Sequence, residues 1–485
     1  MAFERSAWSI FIESLVGKAG LILLLFMVVM SGYVLLAYPM DYGVRVWNND
    51  KKWTDLPRAV PPEWWDIFDP RDLVTHRIFI DTKYDYTTEI FGMDAIVYEI
   101  EYEHTEDGFP TGLTVKYANL TVYSQFGAYV FINITRPDGT EINLFFKQEP
   151  VPVGEDISFP YTLYPEQDAL IQVNTEDTTI FQLKSFLFSQ YGISLNKSVI
   201  EAIGGIRVIF GTPIENENQT DFEVLKGLYK IKVMFASQDL IDVERVKVII
   251  GGEVYGILGT DTRRRDLFQG LLFGFPIALS IGVFTSVLTT AIGSTLGIVS
   301  GYKGGKVDEI IQRVTDIVYN FPFLPLLIFI VFIISRIPDF PRLIAIIGAI
   351  VALGWSGLTI IIRSMVLSLR ESMFVESAKA IGASDTRIMF KHIFPNLAPF
   401  IFAQMIFFTP GAILAEAALS FLGLGDPNLP SWGKIIEESF RGSSLQLGMW
   451  WWFLPPGLLI MLAAITFVFI ALALEPIVNP KLKSR

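Results

Sequence analysis

Charged and small residues gather in one run between apolar stretches, Arg363–Asn396. Within it stands Glu376-Ser377-Ala378-Lys379-Ala380-Ile381-Gly382, and the run closes on Ile393-Phe394-Pro395. The pattern predicts a short helix, a break at Gly382, and a second helix capped by Ser384 or Asp385 and stopped near Pro395. Such an elbow offers a compact surface to a cytoplasmic partner; the plainer alternative is an amphipathic surface loop. Glu416 follows an apolar run, where a carboxylate is costly. It reads either as a polar group on a pathway or as a structural acid bonded to the backbone of Leu422–Gly425. His76 and His104 have no partner at ligand spacing, so no metal site is expected and a solvated or hydrogen-bonded role is. The acidic run Glu99–Asp107 lacks the calcium-loop pattern and reads as a solvated face.

These groups must be carried by membrane helices. The chain has 485 residues, 51% of them hydrophobic, which exceeds ordinary soluble composition. Six apolar windows, Gly20–Tyr38, Leu267–Ser300, Val318–Ile334, Leu343–Ile362, Leu397–Ala415 and Trp450–Leu474, can each cross a bilayer, which takes about 20 helical residues. The first is too long for a signal-peptide core and no cleavage site follows, so it reads as an uncleaved anchor.

Cationic residues orient the spans. With the N-terminus inside, Arg5, Lys18, Lys303, Lys306, Arg313, Arg363, Arg370, Lys379, Arg387, Lys391, Lys481, Lys483 and Arg485 face the cytoplasm. Arg336, Arg342, Lys434 and Arg441 remain in short external loops, and only Arg263–Arg265, before the second span, run against the bias. Both termini are then cytoplasmic, and Trp450–Trp452 meet the outer interface as an aromatic belt.

The net charge of −12 is unevenly shared. Residues 42–260 hold 18 Lys and Arg against 33 Asp and Glu, a balance that argues against a nucleic-acid partner. All four sequons, at Asn119, Asn133, Asn196 and Asn218, fall in this block and place it outside the membrane as N-glycosylation candidates. The absence of cysteine excludes disulfides and thiolate metal sites. The block reads as mostly β, sandwich-like or α+β. Strands are predicted at Thr114–Asn119 and Thr121–Thr135, with a hairpin through Pro137-Asp138-Gly139 into Glu141–Lys147. A further strand pair is predicted at Leu228–Phe235 and Val243–Ile250, and short helices at Thr178–Gln190 and Lys197–Ile203.

The polar run resembles the EAA loop of ABC importer permeases. Glu376, Ala378 and Gly382 stand at its spacing, Ser377 replaces its first alanine, and Ile393-x-Pro395 closes it. The resemblance implies a coupling helix seated in a cleft of an ATPase subunit, with Glu376 and Gly382 mattering most. Three further segments resemble the C-type permease of oligopeptide and dipeptide importers. Gly259-Thr260-Asp261-Thr-Arg-Arg-Arg265-Asp266 is similar to its motif before the second span, with Arg264 where glycine is usual. Gly301-Tyr-Lys-Gly-Gly305 with Val307-Asp308 follows that span, and Ala415-Glu416 through Gly425 with Ser431-Trp432-Gly433 follows the fifth.

The implied fold is a six-span helical membrane domain of the type I ABC importer kind with an inserted extracytoplasmic β-rich domain. Residues 1–41 form the cytoplasmic N-terminus and first span, 42–256 the insert, 257–480 the permease core, and 481–485 a cytoplasmic tail. The implied function is a permease for peptides or similar oligomeric solutes, moving by alternating access. It would work with a second permease subunit, two ATP-binding subunits and an extracytoplasmic substrate-binding protein. The nearest approach to a phosphate loop, Ser300–Val307, lacks the first Gly and the final Ser or Thr. ATP and Mg²⁺ are therefore assigned to the partners, and no cofactor to this chain. A membrane-anchored sensor or adhesion protein would explain the insert but not the ordered motifs. A secondary transporter would need paired ionisable residues within the spans.

Overall fold

The computed structural model describes residues 11–39, 41–152, 159–214 and 220–478. Arg5, Asn218, Lys481, Lys483 and Arg485 lie outside them. The chain divides into two compact units, Met1–Lys51 with Leu267–Arg485, and Lys52–Asp266. Both divisions fall ten residues later than the sequence boundaries at 41 and 256. At the first, a single π turn, Gly43–Trp47, stays with the membrane unit because Trp47 is buried against Gly270. At the second, the Gly259–Asp266 segment bonds back to residues 56–60 of the insert.

Among the described residues, five helices are long and apolar enough to span a membrane: Leu15–Ala37, Leu267–Lys303, Arg342–Arg370, Asp385–Phe421 and Trp450–Glu475. A sixth span is possible only if the bent pair Gly305–Asn320 and Phe323–Ile334 counts as one. The window predicted at Val318–Ile334 straddles that bend of 92°. Pro322 causes it, since proline supplies no N–H and pushes Phe321 into an extended conformation at ψ 139°. Of Trp450–Trp452, Trp451 and Trp452 are buried, with Trp452 covering Gly442, and Trp450 is half-buried.

Lipid is as apolar as leucine, so spans associate by close packing rather than by hydrophobic drive. Gly293, Gly297 and Gly301 recur every fourth residue along one face of helix 267–303. A Cβ would stand 2.8 Å from the Trp355 carbonyl at Gly293, 2.7 Å from Ile362 at Gly297, and 2.8 Å from the Arg363 carbonyl at Gly301. Helix Ser356–Arg370 therefore lies directly on these glycines, and Thr359 Oγ1 donates to the Gly293 carbonyl at 3.1 Å.

The insert is a sandwich of two antiparallel five-stranded sheets. Its strands are β1 Arg77–Asp81, β2 Tyr86–Ile90, β3 Met93–His104, β4 Gly112–Val122, β5 Tyr129–Thr135 and β6 Glu141–Gln148. There follow β7 Tyr161–Leu163, β8 Ala169–Gln172, β9 Gly211–Pro213, β10 Phe222–Val224, β11 Gly227–Ser237 and β12 Ile241–Gly251. One sheet runs β1-β12-β4-β7, with β8 also on β4; the other runs β2-β3-β11-β5-β6. Their inner faces share one core, in which Tyr117 meets Phe235 edge-on at 5.1 Å. Strand β5 shows why: Val130, Ile132 and Ile134 alternate inward.

The hairpin through Pro137-Asp138-Gly139 forms as expected, with Gly139 at φ 81° and Asp138 Oδ1 accepting from Thr140 N at 2.9 Å. The helices fall at Asp177–Tyr191 and Lys197–Ile203. Two strand expectations need correction. Thr121–Thr135 is not one strand, because the chain leaves the first sheet after Val122 and enters the second at Tyr129, turning at Gly127 with φ 81°. β11 and β12 follow each other in sequence but belong to opposite sheets, so each pairs with distant strands.

Both histidines are buried and hydrogen-bonded rather than solvated. His104 lies 2.9 Å from the Tyr102 hydroxyl and 3.0 Å from the Gly108 carbonyl. His76 Nε2 donates to the Asp55 carbonyl at 2.9 Å, and its Nδ1 accepts from Gly252 N at 3.4 Å. Burial, which the Asp55 bond only partly offsets, lowers the His76 pKa to about 4.

Two outcomes follow. Gly297→Val drives a branched side chain into Ile362 and should destabilise the membrane unit by about 1–3 kcal/mol, read as a lower Tm in detergent. Between about pH 6.5 and 4, the unfolded chain binds a proton at His76 that the folded chain refuses. Stability of the insert should therefore fall as pH drops through this window, and the slope should flatten in His76→Gln.

Candidate functional site

The polar run folds as an elbow. Helix Met373–Ala380 ends in two reciprocal hydrogen bonds: Ala383 N donates to the Ala378 carbonyl at 3.1 Å, and Gly382 N to the Lys379 carbonyl at 2.9 Å. This is a Schellman stop, which needs a left-handed residue at its turn. Gly382 fills that position at φ 80°. The next helix, Asp385–Ile388, is capped by Ser384, whose hydroxyl accepts from Arg387 N at 3.4 Å. It does not stop at Pro395. A π turn at Met389–Ile393 carries the chain into helix Phe394–Phe421, with Pro395 in its first turn, where a missing N–H is tolerated.

The inner side of the elbow is apolar and bolted down. Val375, Ala378, Ile388 and Ile393 are buried in one cluster with Tyr302, Ile362 and Val366 from helices 267–303 and 356–370. Polar bonds tie its rim: Tyr302 Oη donates to Asp385 at 3.2 Å, and Lys379 Nζ lies 5.4 Å from the Tyr302 ring centre. The outer side carries Glu376, Ser377, Gly382 and Pro395, all exposed. Met373 and Ile381 are each 85% exposed, and Phe390 is exposed beside them.

A second tie escaped the sequence reading. Arg363 grips Asp308 with two hydrogen bonds of 2.6 Å, and Asp308 also accepts from the Ser300 hydroxyl. Gly304 at φ 65° and Gly305 at φ 56° turn the chain sharply enough to bring Asp308 back to the end of helix 267–303. The signal was present in the Gly-Gly pair and in the arginine that opens the polar run.

The segment Gly259, Thr260, Asp261, Arg265 and Asp266 lies in the insert unit and forms a turn tied to residues 56–60. Asp261 is fully buried, accepting from Arg263 N and Arg265 N through Oδ1 and from Arg265 Nε at 2.6 Å through Oδ2. Thr260 bonds the Pro57 carbonyl at 2.9 Å and bridges to Asp266. Arg264 adopts φ 67°, the conformation glycine takes without strain, and its guanidinium bonds the Leu56 carbonyl at 2.8 Å. The turn thus keeps its shape with an arginine in the glycine position.

Glu416 is buried and bonded to the Ser420 hydroxyl at 2.6 Å, rather than to the backbone of Leu422–Gly425. Ser420 in turn touches Ser431 at 3.5 Å and packs against Gly425 and Gly433. Trp432 Nε1 donates to the Leu271 carbonyl at 2.9 Å while its ring covers Gly274. A cavity of about 630 Å³ opens within the membrane unit beside Thr285, Thr289, Tyr319 and Gln404, and Glu416 is not on its wall.

Among the sequons, Asn196 is exposed just before helix Lys197–Ile203. Asn119 is engaged by Glu244, and Asn133 faces a cavity on the outer side of β5.

The membrane unit is helical and carries an apolar-tipped elbow fixed to two of its helices. The description "Binding-protein-dependent transport system inner membrane component" fits residues 293–484. The dipeptide transport system permease protein DppC of Bacillus subtilis (strain 168) is 34% identical over 226 residues, 46% of this chain and 68% of its own. The DppC of Alkalihalophilus pseudofirmus is 41% identical over 47% of this chain and 72% of its own. The oligopeptide transport system permease protein OppC of Bacillus subtilis is 35% identical over 46% of this chain and 72% of its own. An inward-facing structure of the MetNI methionine ABC transporter aligns with 42% of this chain and 94% of its own at a TM-score of 0.31 and 16% identity. The chain belongs to the family of inner membrane components of binding-protein-dependent transport systems, as a multi-pass permease subunit. The sensor or adhesion alternative finds no support in these relatives.

Gly382→Val should loosen the elbow by about 1–2 kcal/mol, because a branched residue resists φ 80°, while Gly382→Asn should cost less. Hydrogen exchange across residues 373–393 reads the difference.

Proposed function

We propose that this chain is the permease subunit of an ATP-driven importer of peptides or similar oligomeric solutes. It works beside a second permease subunit, two ATP-binding subunits that supply ATP and Mg²⁺, and an extracytoplasmic substrate-binding protein. The elbow carries the reading. Its inner side is locked to helices 267–303 and 356–370, so a push on its tip must tilt those helices. Its tip exposes Met373, Ile381 and Phe390 for a partner to bury, with Glu376 beside them. The relatives named as dipeptide and oligopeptide permeases supply the solute class.

The proposed topology has six spans, the bent pair counting as one, with both termini and the elbow in the cytoplasm and the insert outside. The bias of Lys and Arg supports that orientation. Asn196, the exposed sequon among the described residues, is the proposed glycan acceptor. The chain itself holds no cofactor.

Copurification with the ATP-binding subunits and reconstitution in proteoliposomes tests the reading. Ile381→Asp or Glu376→Arg should reduce ATP-driven peptide uptake at least tenfold while leaving the fold intact. Undiminished uptake with either variant would refute the coupling role.

A further inference from the structure

The outer face of the second sheet carries a cavity of about 630 Å³, within the range of small-molecule sites. Its floor follows from strand register. Tyr86 pairs with Val97, Val97 with Met234, Met234 with Phe131, and Phe131 with Phe146, so one rung across five strands is apolar. Phe131 and Phe146 stand 5.0 Å apart, and Ile90 and Phe91 from the β2–β3 turn wall one side. Phe91 is 88% exposed and Phe146 49%, so this surface is open rather than packed.

The next rung on the same face is polar. Lys232 pairs with Asn133 and Asn133 with Asn143; Glu141 lies two residues beyond Asn143, and Gln182 reaches over from helix Asp177–Tyr191. Among the described residues, none of these five side chains makes a hydrogen bond or an ion pair, whereas the neighbouring Lys230 pairs with Glu99 and Glu101. These groups are exposed or half-exposed and engaged by no neighbour in the chain, so they are free to bond a ligand seated in the concavity.

We infer that this face of the insert binds a short zwitterionic peptide, an apolar side chain on the Met234–Phe131–Phe146 floor and the terminal carboxylate on Lys232. The Asn133 and Asn143 amides meet the peptide groups between, and Glu141 takes the terminal ammonium. Charge and length choose the ligand. Lys232 and Glu141 stand two strands and two residues apart, about 12 Å between backbones. An extended tripeptide spans about 10 Å, which the two long side chains can clasp. A neutral saccharide would leave both charges unmatched. The inference takes its solute class from the importer reading above, but it adds a site on the insert that the permease motifs do not contain.

The test is calorimetric titration of the full chain in nanodiscs, without ATP-binding subunits, with leucyl-alanyl-phenylalanine and its C-terminal amide. The acid should bind saturably, and the amide at least tenfold more weakly. Lys232→Gln should weaken the acid by a similar factor and erase its advantage over the amide, while Phe131→Ala weakens both. No saturable binding, equal affinity for acid and amide, displacement by maltotriose alone, or a glycan found on Asn133 overturns the inference. Because no ATPase is present, a negative result here leaves the coupling role untouched, and failed coupling leaves this site untouched.

Discussion

Close contact between helix 267–303 and helix 356–370 is the constraint on which the membrane unit depends. Three glycines at one-turn spacing remove the side chains that would hold these helices apart. In lipid this shape fit replaces the hydrophobic drive that would join them in water. Everything at that end of the unit hangs from the pair. Asp308 reaches Arg363 across it, Tyr302 and Ile362 seat the elbow on it, and the Schellman stop at Gly382 aims the exposed tip away from it.

The charged residues of the ordered motifs hold structure rather than perform chemistry. Asp261 and Arg265 close a buried turn, Glu416 secures Ser420 under the Gly425–Gly433 loop, and Asp308 fixes the turn after Gly304. Each leaves little polar capacity unmet, as a low-dielectric setting demands. Among the described residues, unpartnered polar side chains occur in both units: the Thr285, Thr289 and Thr290 hydroxyls are buried without a partner in the membrane unit, and Lys232 and Asn133 stand unpaired on the insert.

The insert shows how register makes a surface. Alternation sends Val130, Ile132 and Ile134 into the core and leaves Tyr129, Phe131 and Asn133 on the other side. Five strands in register then convert scattered residues, nearly 150 positions apart between Tyr86 and Lys232, into one floor and one polar rung. The same pairing puts Lys230 on the adjacent rung, where Glu99 and Glu101 satisfy it.

By itself the sequence determined the elements whose cause is local. Apolar length marked the spans, Gly382 and Ser384 marked the elbow, and Pro137-Asp138-Gly139 marked a hairpin, because each depends on residues within one turn or one helix length. Only the tertiary structure decided which groups meet across distance. It separated β11 from β12 into two sheets, drew Pro395 into a continuing helix, and buried Trp451 and Trp452 that composition placed at an interface. It also gave Glu416 to Ser420 and Asp308 to Arg363. Partner choice of this kind follows from which surfaces pack, and packing is a property of the whole chain that no single stretch encodes.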